Sequence, residues 1–110
     1  MTYDKLDKIG WKAEGSWNNR FFFSLNEGSS FSIYEHNGSY GIVDPYKDTL
    51  RLIYCNLTDD EIVKYAGLVG RYENMMSNPK DFTLYEYQEQ KRLIKEFIEK
   101  MEHKEDDMEF

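Results

Sequence analysis

The spacing of apolar residues changes period twice along the chain. From Tyr3 to Ile9 it is helical, with Tyr3, Leu6 and Ile9 at i, i+3 and i+6. Thr2 stands where an N-cap belongs and Gly10 where such a helix would end. The period then drops to two. RFFFSL at 20–25 sets Phe21, Phe23 and Leu25 on one side and Phe22 on the other, and FSIYEH at 31–36 sets Phe31 and Ile33 against Ser32 and Tyr34. NEGSS between them has the length of a hairpin loop. Asn37-Gly38 supplies the two positive-φ residues that a type I′ turn requires, so Tyr40–Val43 is expected to pair back as the next strand. TLRLIYC at 49–55 reads as a further strand by its β-branched and aromatic content, and Trp11–Trp17 is expected to contribute one ahead of these.

Beyond residue 56 the period returns to that of a helix. Thr58 and Glu61 form the capping-box pattern, with Leu57 and Ile62 placed as a hydrophobic staple around it. Ile62, Tyr65, Ala66, Val69, Tyr72 and Met76 then mark one face, up to the stop at Ser77-Asn78-Pro79. Thr83 and Glu86 repeat the capping box, and Leu84, Tyr87, Ile94, Phe97, Ile98 and Met101 are expected to form the buried stripe of a second helix. A short loop between the two makes them antiparallel neighbours. The expected fold is therefore α+β: a short N-terminal helix, an antiparallel β meander of four to five strands, and a C-terminal antiparallel helix pair. One domain over residues 1–104 is expected, followed by an acidic tail at 105–110.

Composition narrows the function more than the fold. Aromatic content of 16% excludes a disordered chain despite the polar mean hydropathy. The single cysteine, Cys55, excludes an internal disulfide framework and points to a reducing compartment. The first residues are charged, and no run approaches the length of a membrane span, so a cytoplasmic location is expected. Net charge is −7 and unevenly placed: residues 1–55 hold 6 basic and 7 acidic side chains, residues 56–110 hold 8 and 14. A chain of this sign repels phosphate backbones, which argues against direct nucleic-acid binding and for a partner with a basic surface.

Candidate chemistry is sparse. His36 flanks a hairpin turn and His103 lies near the end of the chain, so a Cys55–His36 pair would have to compete with burial of Cys55 on an apolar strand. Asn37-Gly38-Ser39-Tyr40-Gly41 lacks the first glycine and the strand-to-helix turn of a nucleophile elbow. Glu99 and His103 are four apart, with no third ligand at useful spacing. Phosphate-binding glycine loops are missing. No catalytic residue, metal site or cofactor is expected.

Contact surfaces are the remaining candidates. Gly67 and Gly70 each cost about 0.8–1 kcal/mol relative to alanine inside a helix, which implies close approach of the sheet, the second helix or a partner. Tyr34 and Tyr40, with Tyr46 and Tyr54, could make a tyrosine-rich sheet face. Among the acids, Asp59, Asp60 and Glu61 also complement the α-helix dipole at its N-terminus. Glu73, Glu86, Glu89, Glu96 and Glu99 complete the candidate interface, interspersed with lysines and arginines as on a solvated surface. Imitation of a phosphate backbone would need carboxylates held in a rigid row about 6–7 Å apart, and that requirement falls on ordered acids of the helices.

In its opening YDKLDKIGW, its compact strand run and the helix LTDDEIVKYAGLVGRYENMM, the chain resembles small accessory proteins encoded by bacteriophages of Gram-positive bacteria. That group includes inhibitors of host defence nucleases, the anti-CRISPR proteins among them; many are acidic and non-enzymatic, and some resemble DNA to their target. No residue role carries over, because the group shares no common motif or fold. The resemblance implies a non-enzymatic protein-binding module that inhibits a nucleic-acid enzyme by covering a basic surface. Two alternatives remain open: a regulatory or structural subunit that forms a homodimer through its sheet or its Gly67/Gly70 face, and a small-ligand-binding domain walled by the aromatic sheet face.

Overall fold

The computed structural model describes residues 1–107, with side chains through Lys104. Helix α1 (Tyr3–Ile9) is capped by the Thr2 hydroxyl, which accepts from the Lys5 amide at 3.2 Å, and ends at Gly10, whose φ of 120° suits glycine. Five strands follow: β1 (Lys12–Trp17), β2 (Arg20–Ser24), β3 (Ser32–His36), β4 (Ser39–Val43) and β5 (Leu52–Ile53). They form one antiparallel meander in chain order. Both short hairpins turn on paired positive-φ residues, Asn18-Asn19 and Asn37-Gly38. The last strand is shorter than its sequence suggests, because only Leu52 and Ile53 pair with β4.

Register decides what each face of the sheet carries. Phe23, Ile33, Ile42 and Ile53 stand directly opposite one another across β2 to β5 and form the row on which the core is built. Helix α2 (Asp59–Ser77) and helix α3 (Leu84–Asp107), joined by a single 3-10 turn at Pro79–Asp81, pack against that face and against each other. The Tyr65 ring is central: it stacks between Trp11 at 5.9 Å and Phe97 at 5.2 Å, linking the β1 entry to both helices. The Trp11 indole N–H donates to the Ile62 carbonyl at 3.4 Å, which gives its buried polar edge a partner. The other sheet face carries Phe22, Tyr34 and Gly41 in one row. The Tyr34 ring lies over Gly41, where a Cβ would collide with the ring and with the Ile53 carbonyl.

Helix ends follow their caps. Thr58 and Glu61 complete the capping box, with Glu61 N–H donating to Thr58 Oγ1 at 3.2 Å and Thr58 N–H to Glu61 Oε1 at 2.9 Å. At the start of α3 the Glu86 N–H donates to Thr83 Oγ1 at 3.1 Å and the Thr83 N–H to Glu86 Oε1 at 3.3 Å. Two expectations about burial need correcting. Met75 is buried on α2 and Met76 is exposed, and Leu84 stands in solvent instead of closing the α3 stripe. Helix α3 runs through Asp107, so the acidic run begins inside a helix; the remainder of the expected tail, 108–110, lies outside the described residues.

Candidate functional site

Most of the acids expected to face a partner are engaged within the chain. Glu61 accepts from Lys104 Nζ at 2.6 Å. The Lys104 and Thr58 contacts hold its carboxylate below the ordinary range, although partial burial, the largest single influence, pushes the other way. Glu89 and Glu96 both pair with Arg92, which holds Glu89 low. Glu86 faces Arg71 at 3.9 Å besides capping α3. Asp59 pairs with the Met1 amine at 3.2 Å. Glu73 is half-buried, with Oε1 lacking a hydrogen-bond partner among the described residues. Asp60 and Glu99 alone of the candidate acids are exposed without a described partner. The ordered carboxylates therefore do not present a free, evenly spaced row.

Glu99 belongs to a locally acidic flank. Arg51 answers both Asp44 at 3.3 Å and Glu102 at 3.6 Å, while Asp48 and Glu99 have no ion-pair partner among the described residues. The Arg51–Glu102 pair brings loop 44–51 beside this part of α3, where partial loss of solvent and then the negative charges of Asp44 and Glu99 push the Tyr46 hydroxyl up. The segments that meet at this end of the molecule, 44–61 and 93–104, hold 5 basic and 8 acidic side chains.

At the other end of the helix pair the surface is apolar. Met76, Leu84 and Tyr85 are 56%, 70% and 75% exposed. Met76 and Leu84 border a groove of about 460 Å³ whose walls include Met75, Pro79, Phe82 and Tyr87. Beneath it the Tyr72 and Tyr87 hydroxyls bond to each other at 2.9 Å, and burial followed by that bond raises the Tyr72 phenol. Charge at this apex is balanced: residues 71–92 hold 4 basic and 4 acidic side chains. Leu84 escapes a sequence reading that assigns it to the helix stripe, and Tyr85 one that gives it no role; the signal in the sequence is an apolar pair in the first turn of α3.

The tyrosine face does not form as expected. With Asn37-Gly38 as the turn, His36 pairs with Ser39, Glu35 with Tyr40 and Tyr34 with Gly41, so Tyr34 and Tyr40 lie on opposite faces. Both are buried. Tyr54 does join Tyr34, edge to face at 5.8 Å, and the Arg20 guanidinium donates to its hydroxyl at 3.1 Å. His36 is held on the same end of the sheet, Nδ1 at 3.0 Å from the Asn19 carbonyl and Nε2 at 3.2 Å from the Asn37 amide. Cys55 is fully buried and its thiol is pushed up to about 12 by that burial. No group of three metal-ligating side chains occurs among the described residues. No described helix is long and apolar enough to cross a membrane.

The glycines also depart from expectation. A Cβ at Gly67 would meet nothing within 4 Å, and one at Gly70 would make only an ordinary 3.7 Å contact with Leu25. Packing within the chain requires neither glycine.

No protein-family model matches this chain, and neither a curated protein nor a solved structure matches it.

Proposed function

We propose that the chain is a non-enzymatic protein-binding module that covers a basic surface of a larger protein, a nucleic-acid enzyme of the kind phage-encoded inhibitors block. The observation that carries the reading is the flank where Arg51 is shared between Asp44 and Glu102 while Asp48 and Glu99 add charge without an ion-pair partner among the described residues. Self-paired acids such as Glu89 and Glu96 have a cation already and offer a partner little. The flank thus replaces the broad acidic helix surface as the favoured contact. Inhibition would be steric, with complementary charge speeding association more than setting affinity.

The test is capture from a bacterial lysate at low and high salt by wild-type chain and by a variant carrying Asp48→Asn, Glu99→Gln and Glu102→Gln. Activity of the captured enzyme is then assayed with and without the chain. The expected result is a nucleic-acid enzyme held at low salt, released at high salt, inhibited by the wild type and bound at least several-fold less by the variant. Capture that ignores both salt and the triple substitution would overturn the proposal.

A further inference from the structure

We propose that the cavity beside the β3–β4 hairpin is a binding site for a neutral pyranose, the ring of an uncharged sugar. The site is built by an arch in the sheet. Ile42 and Ile53 pair across β4 and β5, and further on the Leu57 amide returns to the Tyr40 carbonyl at 2.7 Å. Between those contacts β4 supplies only Gly41, whereas the other strand supplies Tyr54, Cys55 and Asn56. The surplus residues bulge away from β4, and Asn56 closes the arch with a φ of 48°, a conformation that asparagine tolerates better than most residues. Cys55 goes into the core, while Tyr54 and Asn56 line a cavity of about 320 Å³ together with the hairpin end. That is the size of a small-molecule site.

The lining selects the ligand. Two walls are the Tyr34 and Tyr54 rings, which meet at 79°, so the cleft has a corner that a puckered ring fills better than a flat base. The Tyr34 hydroxyl is tied to the Ile53 carbonyl at 3.2 Å, and Arg20 donates to the Tyr54 hydroxyl, so both rings are fixed before a ligand arrives. The C–H face of a sugar carries slight positive charge and packs against the negative face of an aromatic ring. Around the rim stand Asn37, Ser39 and Asn56, groups that both donate and accept, as sugar hydroxyls do. The Ser39 hydroxyl and the Asn56 side-chain amide make no hydrogen bond among the described residues. His36 Nδ1–H donates to the Asn19 carbonyl, so Nε2 accepts from the Asn37 amide, which orients that side chain and leaves its oxygen as an acceptor for a ligand. No carboxylate, ammonium or guanidinium lines the cavity among the described residues, so a phosphate or other charged group would go unanswered there.

The test is a titration of the full chain, followed by amide chemical shifts in nitrogen–proton correlation spectra. The ligands are glucose, galactose, mannose and N-acetylglucosamine, their methyl glycosides, and adenosine and uridine as flat rings. The expected result is one saturable set of shifts confined to residues 36–41 and 54–57, with a Kd on the order of 1 mM for at least one sugar, as a ligand of this size allows. Equal binding of a sugar and its methyl glycoside assigns a terminal glycan unit; loss with the methyl glycoside assigns a free monosaccharide. Asn56→Gly keeps the backbone conformation without the amide, and Tyr54→Leu keeps apolar bulk without the ring; each should weaken binding about 10-fold or more. Tyr54→Phe keeps the ring and should bind within about threefold of wild type. The same spectra show whether each variant is folded. The proposal is overturned by no such shifts up to about 50 mM sugar, far above that Kd, by nucleosides binding there in place of sugars, or by wild-type affinity in both Asn56→Gly and Tyr54→Leu. Loop 44–51 leaves from the other end of β4, so failed partner capture would not touch this result, nor would failed sugar binding touch the capture.

Discussion

At one end of the α2–α3 pair, Glu61 reaches Lys104 and Glu102 reaches Arg51; at the other, Leu84 and Tyr85 stand largely in solvent. Both ends come from the same amphipathic pattern. The difference lies in what stands behind them. Where α2 begins, the Leu57 amide donates to the Tyr40 carbonyl at 2.7 Å, and Ile53, Cys55 and Leu57 are part of the core. Towards the apex, Leu25 and Phe31 reach α2 at Gly70 and Tyr72, and Met76 lies a turn beyond them. An apolar residue in a helix is therefore buried or displayed according to how far the sheet extends beneath it, and periodicity alone does not contain that distance.

The largest effect that sharpens this contrast is expected at Tyr65. Tyr65→Ala removes a ring stacked on both Trp11 and Phe97 and should cost about 3–5 kcal/mol in denaturant unfolding. Leu84→Ala removes as apolar a side chain from the apex and should move stability by less than about 0.5 kcal/mol. Equal costs at the two sites would mean that the apex is covered in the free chain, and the comparison would fail.

Next in size comes Gly41→Ala, expected to cost about 1–3 kcal/mol because the new methyl must displace the Tyr34 ring or the Ile53 carbonyl. Gly67→Ala is its counterpart, with open space and a helical backbone, and should stabilise the chain by up to about 1 kcal/mol. A loss of stability at Gly67 would show that something in the chain packs there after all. If Gly67→Ala is stabilising yet reduces partner capture, the glycine serves contact instead of folding.

Local chemistry made much of this structure legible in advance. Thr2, Thr58 and Thr83 cap their helices, Asn37-Gly38 turns its hairpin, and the Phe21/Phe23 alternation finds the right face, because each depends on neighbours within a few residues. The separation of Tyr34 from Tyr40 was equally legible, since a two-residue turn at Asn37-Gly38 fixes the pairing of both. Burial of Met75 over Met76 was not, because one step along a helix turns about 100° and the sheet decides which of the two it covers. The acidic flank was hidden for a related reason. Asp44, Arg51 and Glu102 come together only through the tertiary fold, and charge counts along the chain cannot say which carboxylates already have a cation.

The smallest expected effect probes the ion-paired end. The Glu61 carboxylate titrates below its ordinary value in the folded chain, so its contribution is fully present above the ordinary glutamate pKa, near about 4.3, and fades as pH falls through the lower folded value. Unfolding free energy measured from neutral pH down to pH 3 should therefore decline, and Lys104→Met should flatten part of that decline while costing under about 1 kcal/mol at neutral pH. Thr58→Ala should act differently. It removes the Glu61 N–H acceptor and costs about 1 kcal/mol even at neutral pH, and it takes only a small part of the acid limb with it, because the Thr58 hydroxyl is the least of the contacts that hold the Glu61 carboxylate low. If Lys104→Met left the acid limb unchanged, the Glu61 shift would belong to the cap alone, and the charged end of the pair would be held by local helix chemistry and not by the contact from α2 to α3.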